Sequence, residues 1–291
     1  MKISVVIPTY NRVRTLGRAI DSVLNQSYKD WELVVVDDGS TDGTDELMDK
    51  YDDPRIIYIK QGINKGVSIA RNNGVKQSTG DFVSFLDSDD AYLSNGLSII
   101  VEELGKMPVD IGMLYFQIDY HGNDGKLISK TGYVPREEWN YYRPSYEDVI
   151  LKKDLKNDMH RCYRTDVIRR FPYDEKIKDQ DTLLFASMLK SGINCLYVNR
   201  SVVDVYASVG SLSFSKRDPK SGYHICSVYF KDHLDVLNKN SPLYVALCMN
   251  MTICCIKLKK PSAIFWFIKG FLKSPYYFFS YIKFHTVNKK S

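Results

Sequence analysis

Four short apolar runs alternate with helical patterns across the first 95 residues, and this alternation constrains the fold more than any other feature. Residues 3–7 (Ile-Ser-Val-Val-Ile) are β-rich and end at Pro8, which reads as a strand entering a loop. Leu16, Ile20, Val23 and Leu24 then recur at helical spacing. Residues 31–36 are almost continuously apolar, as in a parallel strand covered on both faces. Thr41 or Asp42 can cap a helix reaching about Tyr51. A third strand follows at 55–60, a third helix at 67–77 and a fourth strand at 82–86. This order implies an α/β fold with a Rossmann-like, mostly parallel sheet and right-handed crossovers. Such sheets bind ligands beyond the carboxyl ends of their strands. The loops at 8–12, 37–40 and 87–90 are therefore where function is sought.

After Gly96 the pattern changes. Residues 111–119 and 126–131 read as strands around a hairpin turn, 181–190 as a helix, and 195–206 as one or two strands, which makes a mixed α+β half. From about Tyr223 the chain is helical, aromatic and basic. Residues 236–291 hold nine lysines and no Arg, Asp or Glu, which, against an overall +5, leaves the rest of the chain at −4. A basic tail on an acidic body implies an anionic partner for the tail. The six cysteines include no C-x-x-C pair, and Cys254 and Cys255 are adjacent. Reduced thiols and a cytoplasmic setting are expected from this. The first residues enter a strand with no signal-peptide pattern, and no uncharged apolar run is long enough for a membrane span.

The strongest single motif is Asp87-Ser88-Asp89-Asp90, directly after an apolar strand. Its carboxylates repel one another, and a hard divalent cation such as Mn²⁺ or Mg²⁺ would offset that repulsion while bridging to phosphate. A solvated acidic turn capping the next helix explains the same residues equally well on composition alone.

The wider context resembles the family 2 glycosyltransferases of the GT-A fold. The residues that carry the resemblance are Ser4-Val5-Val6-Ile7-Pro8-Thr9-Tyr10-Asn11-Arg12, then Val34-Val35-Val36-Asp37-Asp38-Gly39-Ser40, Asn64-Lys65-Gly66, Ala70-Arg71-Asn72, and Gly80-Asp81 leading to Asp87. The likeness is strong over 1–95, thinner to about 215, and absent beyond. It implies a catalytic domain over 1–222, with a nucleotide-binding half (1–95) and an acceptor-binding half (96–222), followed by a basic helical region (223–291). It implies that Tyr10 stacks on a nucleobase, a contact worth about 1–3 kcal/mol, beside Pro8 and Thr9. Asp38 would accept from the imide N–H of uracil; the plainer alternative is a turn-forming Asx residue, a role Asp37 fills as easily. Arg71 would reach a diphosphate, with Arg12 and Lys65 lesser candidates. Asp87, with Ser88, would face the ribose or metal, and Asp89 would be the principal metal ligand. Each has a plainer alternative: an edge tyrosine, an Asx turn, a surface ion pair.

The family also places a catalytic base in an acidic segment that opens a helix. Here Pro172-Tyr173-Asp174-Glu175 is followed by Lys178-Asp179-Gln180-Asp181. Asp179 matches the base and Asp181 is its neighbour; both could equally cap the helix. Lys178 stands where the family usually has Glu. The segment from Tyr206 to Ser213 holds neither the His nor the Arg that the family often supplies there. His160 and Arg161 are substitutes by position, although a satisfied structural His is the commoner arrangement.

The resemblance thus implies an inverting, metal-dependent transfer from a UDP-sugar to a saccharide or lipid-linked saccharide acceptor, in cell-surface polysaccharide synthesis. A non-catalytic nucleotide-sugar-binding subunit is the rival of a different class. A nucleotidyltransferase would need glycines where Pro8 to Arg12 has none, and no P-loop motif occurs. The tail either packs its aromatics on the protein or lies on an anionic membrane. Without Arg or a known module it does not fit nucleic acid.

Overall fold

The computed structural model describes residues 1–122, 125–131, 140–151, 160–176, 181–206 and 219–287. In chain order the first part holds β1 (Ile3–Thr9), α1 (Val13–Leu24), β2 (Trp31–Asp37), α2 (Thr44–Met48), β3 (Ile56–Lys60), α3 (Val67–Gln77), β4 (Phe82–Phe85), β5 (Ala91–Tyr92) and α4 (Gly96–Lys106). Next come β6 (Ile111–His121), β7 (Leu127–Thr131), β8 (Tyr141–Tyr142), α5 (Tyr146–Leu151), β9 (His160–Arg164), α6 (Thr165–Arg170), α7 (Asp181–Lys190) and β10 (Asn194–Tyr206). The remainder is helical: α8 (Pro219–Asp232), α9 (Leu234–Lys239), α10 (Ser241–Lys257), α11 (Ala263–Lys273) and α12 (Pro275–Val287). The chain divides into two compact units, Met1–Ser213 and Phe214–Ser291.

In the first unit a ten-stranded sheet runs in the order β3-β2-β1-β4-β9-β6-β10-β5, with β7 beside β6 and β8 beside β10. β1 lies parallel to β2 and β4, and β2 parallel to β3. β9 is antiparallel to both β4 and β6, so β6 runs with β1, and β10 runs parallel to β6. The carboxyl ends of β1, β2, β4, β6 and β10 therefore share one edge. β1 and β2 are buried along their whole length, as expected of strands covered on both faces. Leu16, Ala19, Ile20 and Val23 of α1 supply one covering layer. Gly74 lets α3 approach β1 closely: a Cβ there would lie 2.3 Å from Val6 Cγ1.

The alternating first third is as expected, with one local difference. α2 begins after Gly43, which takes a left-handed φ of 87°, rather than at Thr41 or Asp42. Asp42 accepts from the first amide of α1, Val13 N–H, at 2.9 Å, and from Thr44 Oγ1 at the start of α2 at 2.6 Å, so it ties the two helices together. The expected hairpin is the antiparallel pair β6–β7, and 195–206 is part of a single long strand. Strand β9 is the unforeseen element: His160-Arg161-Cys162-Tyr163-Arg164 has no clean alternation, and tertiary pairing on two sides sets its conformation.

At the opposite edge of the sheet from the functional loops, Glu32 is buried and accepts from Ser4 Oγ (2.6 Å), Thr79 Oγ1 (2.6 Å) and Thr79 N–H, with Lys2 Nζ at 2.6 Å. Burial alone would raise its carboxyl pKa, but the bonds from Lys2, Ser4 and Thr79 outweigh burial and hold it at about 2. Its contribution is complete above the ordinary value of 4.5 and is lost as pH falls towards about 2. Glu32→Gln is expected to cost about 1–3 kcal/mol at neutral pH. Urea denaturation should find the gap between the two proteins shrinking as pH drops from 4.5 towards 2; a gap independent of pH would refute the assignment.

Candidate functional site

Three loops converge at the carboxyl edge. The first leaves β1 after Thr9; Pro8, within the strand, lies beyond the last β1–β4 pair, so its missing N–H breaks no rung on that side. Thr9 is buried, and its Oγ1 has no hydrogen-bond partner among the described residues. Tyr10 is 44% exposed. Asn11 adopts φ 52° and ties this loop to the second: its N–H donates to Ser40 Oγ (2.9 Å), and its Oδ1 accepts from Thr41 N–H (2.8 Å).

The second loop divides its work between two aspartates. Asp37 is the turn former, accepting from Ser40 N–H at 2.9 Å and Ser40 Oγ at 2.5 Å. Asp38 is buried; it accepts from Gln61 Nε2 (2.8 Å), Lys65 N–H (2.7 Å) and Gly66 N–H (2.7 Å). It therefore shapes the loop before α3, and the exposed Lys65 contributes its backbone here. Gly39, at φ 83°, makes that approach possible, since a Cβ would sit 2.7 Å from the carbonyl carbon of Ile63. A carboxylate has about four acceptor positions, so Asp38 keeps capacity for another donor.

The third loop is the acidic cluster. Asp87 faces outward, half exposed, and accepts from Arg71 Nη2 at 3.1 Å. Ser88 is buried. Asp89 Oδ2 lies 3.9 Å from Arg12 Nη2, and its backbone carbonyl accepts from Arg18. Asp90 is buried; its N–H closes a turn onto Asp87 O (3.0 Å), and its Oδ1 accepts from Tyr206 N–H (3.2 Å). Burial and the charges of Asp87 and Asp89 push the Asp90 carboxyl well above the usual range, against the opposing pull of Tyr206 N–H and Arg18. No group of three His, Cys, Asp or Glu side chains is placed to hold a metal among the described residues. Two carboxylates still fit a hard cation that takes its other oxygens from substrate phosphate and water, the usual Mg²⁺ arrangement.

Arg71 occupies the centre of a buried charge cluster. Its side chain is 12% exposed, its Nη1 lies 3.9 Å from Asp181 Oδ1, and its Nε is buried with no hydrogen-bond partner among the described residues. Arg161 pairs with Asp181 Oδ2 at 2.7 Å. Burial would raise the Asp181 carboxyl, but Arg161 and Arg71 hold it below the ordinary value. His160 is structural: it meets Ser84 Oγ (2.7 Å) and Tyr92 Oη (3.0 Å), and burial beside Arg161 pushes its pKa down to about 3, so it is neutral. Asp179, Lys178 and the segment after Tyr206 lie outside the described residues.

Sequence reasoning missed Arg18, whose guanidinium stacks 3.8 Å from the Tyr206 ring centroid, and Asn72, which binds Tyr173 through both amide atoms. Arg18 looks like an ordinary polar-face helical residue. Asn72 stood inside a quoted motif, but its partner is 101 positions away.

The family model for glycosyl transferase family 2 matches residues 4–177. The chain belongs to that family and is a glycosyltransferase. It is 43% identical over 192 residues to the GalNAc(5)-diNAcBac-PP-undecaprenol beta-1,3-glucosyltransferase of Campylobacter jejuni, covering 65% of this chain and 60% of that protein. It is 30% identical over 223 residues to the UDP-Glc:alpha-D-GlcNAc-diphosphoundecaprenol beta-1,3-glucosyltransferase WfaP of Escherichia coli, covering 74% and 80% respectively. It spans only 31% of another curated relative. Among solved structures, S. aureus TarS 1-349 in complex with UDP-GlcNAc superposes with a TM-score of 0.68 at 17% identity, covering 97% of this chain and 92% of that one. The mannosyltransferase PcManGT from Pyrobaculum calidifontis, in complex with GDP-Man and Mn²⁺, gives 0.59 at 16% identity, covering 92% and 74%. The fold is GT-A.

Asp38→Asn would set an amide N–H₂ against a backbone N–H donor in either orientation, Lys65 N–H in one and Gly66 N–H in the other. A loss of about 1–3 kcal/mol is expected in urea denaturation. A change under about 0.5 kcal/mol, the range of ordinary surface substitutions, would mean that these bonds do not shape the loop.

Proposed function

We propose that this chain transfers a sugar, with inversion, from a UDP-sugar to a hydroxyl of a saccharide or lipid-linked saccharide acceptor, in bacterial surface-polysaccharide synthesis. The observation that carries this reading is the meeting of Asp87 and Asp89 with Arg71 and Arg12 at the end of β4. Carboxylates and guanidinium groups side by side suit a diphosphate with a divalent cation, each component needing the opposite charge. The relatives named for UDP-Glc and undecaprenyl-linked saccharides support the donor and acceptor classes.

In this reading residues 1–95 bind the nucleotide and 96–222 the acceptor. Tyr10 offers its exposed ring to uracil, with Pro8 and Thr9 forming the wall beside it. Asp38 uses its remaining acceptor capacity for the uracil imide N–H. Arg71, Arg12 and Lys65 neutralise the diphosphate, and Ser88 and Asp87 face the ribose. Asp89 and Asp87 would hold Mn²⁺ or Mg²⁺, which supplies electrostatic stabilisation to the departing nucleoside diphosphate. Asp179 takes the proton from the acceptor hydroxyl as that oxygen attacks the anomeric carbon and the bond to the diphosphate oxygen breaks. The structure of PcManGT with Mn²⁺ supports the choice of cation.

The C-terminal unit gives this reading a membrane-facing element. Ile264, Leu272, Tyr276 and Phe279 are 70%, 73%, 74% and 61% exposed. Lys269 Nζ lies 4.7 Å from the Trp266 ring centroid, so a cationic group and an aromatic ring sit together on α11. No helix among the described residues is long and apolar enough to cross a membrane. Peripheral contact with an anionic bilayer at its cytoplasmic face fits these features.

Calorimetry should find UDP binding at least about tenfold weaker in EDTA than in Mn²⁺, and equal under both conditions for Asp89→Ala. Wild-type binding indifferent to the metal would sink the metal assignment. In co-sedimentation, the protein should pellet with phosphatidylglycerol-containing vesicles and not with pure phosphatidylcholine. The double variant Ile264→Asp/Leu272→Asp should stay in the supernatant; pelleting like wild type would remove the membrane role.

A further inference from the structure

Asp38 loads its two oxygens unequally. Oδ1 accepts twice, from Gln61 Nε2 at 2.8 Å and from Lys65 N–H at 2.7 Å, whereas Oδ2 accepts once, from Gly66 N–H at 2.7 Å. A carboxylate oxygen has about two acceptor positions, so Oδ1 is filled and Oδ2 keeps one. The filling depends on Gln61, which is held at both ends. Its backbone N–H donates to Asp37 O at 2.9 Å, and its Oε1 accepts from Asn73 Nδ2, on α3, at 2.6 Å. A carboxylate only accepts. Gln61 must therefore turn its nitrogen to Asp38 and its oxygen to Asn73, which must in turn present its own nitrogen. Reversing either amide would set like against like. The three side chains thus form a line of one polarity, from Asn73 through Gln61 to Asp38. Asp38 is buried, so each of its acceptor positions counts in what it can pair with.

We propose that Gln61 and Asn73 are positioning residues for the choice of nucleobase. Gln61 occupies the second acceptor position of Oδ1, and Asn73 holds Gln61 to that task. The Asp38 carboxylate then shows a base one acceptor, at Oδ2. One acceptor matches the imide N–H of uracil. Cytosine carries a lone pair at that ring position and an N–H₂ group on the neighbouring carbon. With Oδ1 filled, that amine finds no acceptor on Asp38, and the ring lone pair faces a carboxylate. Sites that hydrogen-bond one ligand strongly reject an analogue that leaves the buried group unmatched. Without Gln61 both oxygens hold a vacancy, and Oδ1 can take the cytosine amine. The inference rests on the reading of Asp38 as the acceptor for the uracil imide.

The test measures UDP and CDP binding by calorimetry on the full chain in Mn²⁺. The two ligands share ribose and diphosphate, so contributions from the arginines and the acidic cluster cancel in the ratio of their Kd values. Wild type is expected to favour UDP by at least about tenfold, and Asp38→Asn to bring the two within about threefold of each other. Gln61→Ala and Asn73→Ala are each expected to lower the preference by about three- to tenfold. Alanine suits a helix, so Asn73→Ala serves where Gln61→Ala disturbs the loop. The double variant should be no worse than Gln61→Ala, because Asn73 acts through Gln61. A preference lost in Asp38→Asn but kept within about twofold of wild type in both single variants overturns the line alone. So does a parallel weakening of UDP and CDP in those variants, which marks a merely structural role. A preference retained in Asp38→Asn, or absent from wild type, overturns the reading of Asp38 and the line's purpose with it.

Discussion

Mutual repulsion among Asp87, Asp89 and Asp90 is the constraint around which the catalytic edge is arranged. Carboxylates this close are costly unless opposite charge is brought to them. The chain brings arginines from three places: Arg12 from the loop after β1, Arg18 from α1 and Arg71 from α3. Each meets a different part of the cluster. The parallel sheet makes this possible, because β1 and β4 are hydrogen-bonded neighbours and the helix that returns to β4 begins its crossover beside the same edge.

The two halves of the sheet solve different problems. In β1–β4 the strands are parallel and the connections short, which concentrates loops at one edge. Inserting β9 antiparallel between β4 and β6 then carries Arg161 and His160 in from a distant part of the sequence. His160, kept neutral, satisfies Ser84 and Tyr92 inside the sheet layer. Its neighbour Arg161 remains charged and reaches the start of α7. A single-residue step along β9 thus separates a structural imidazole from a charge partner of the site.

The sequence made the first third readable because its signals are local. β-branched runs, helical periodicity and loop composition each specify their own segment, and β1, β2, α3 and β4 fall where the pattern puts them. The acidic cluster was legible for the same reason, as consecutive residues. What could not be read were contacts made across the sheet. Asn72 meets Tyr173 and Arg161 meets Asp181 only because β9 occupies a slot that no local pattern announces. Asp42 is instructive on a smaller scale: its capping chemistry was recognisable, but it serves α1 as well as the helix that follows it.

The contact between Gly74 and Val6 has a consequence beyond packing. Arg71 and Asn72 lie just before that glycine on the same helix, and they donate to Asp87 and to the Tyr173 backbone respectively. Because α3 lies so close to β1 that even a methyl group at position 74 would force it outward, the helix has one seating depth. Both side chains inherit that depth together. The helix works as a gauge block, transferring the precision of a buried strand contact to the side chains that meet Asp87 and Tyr173.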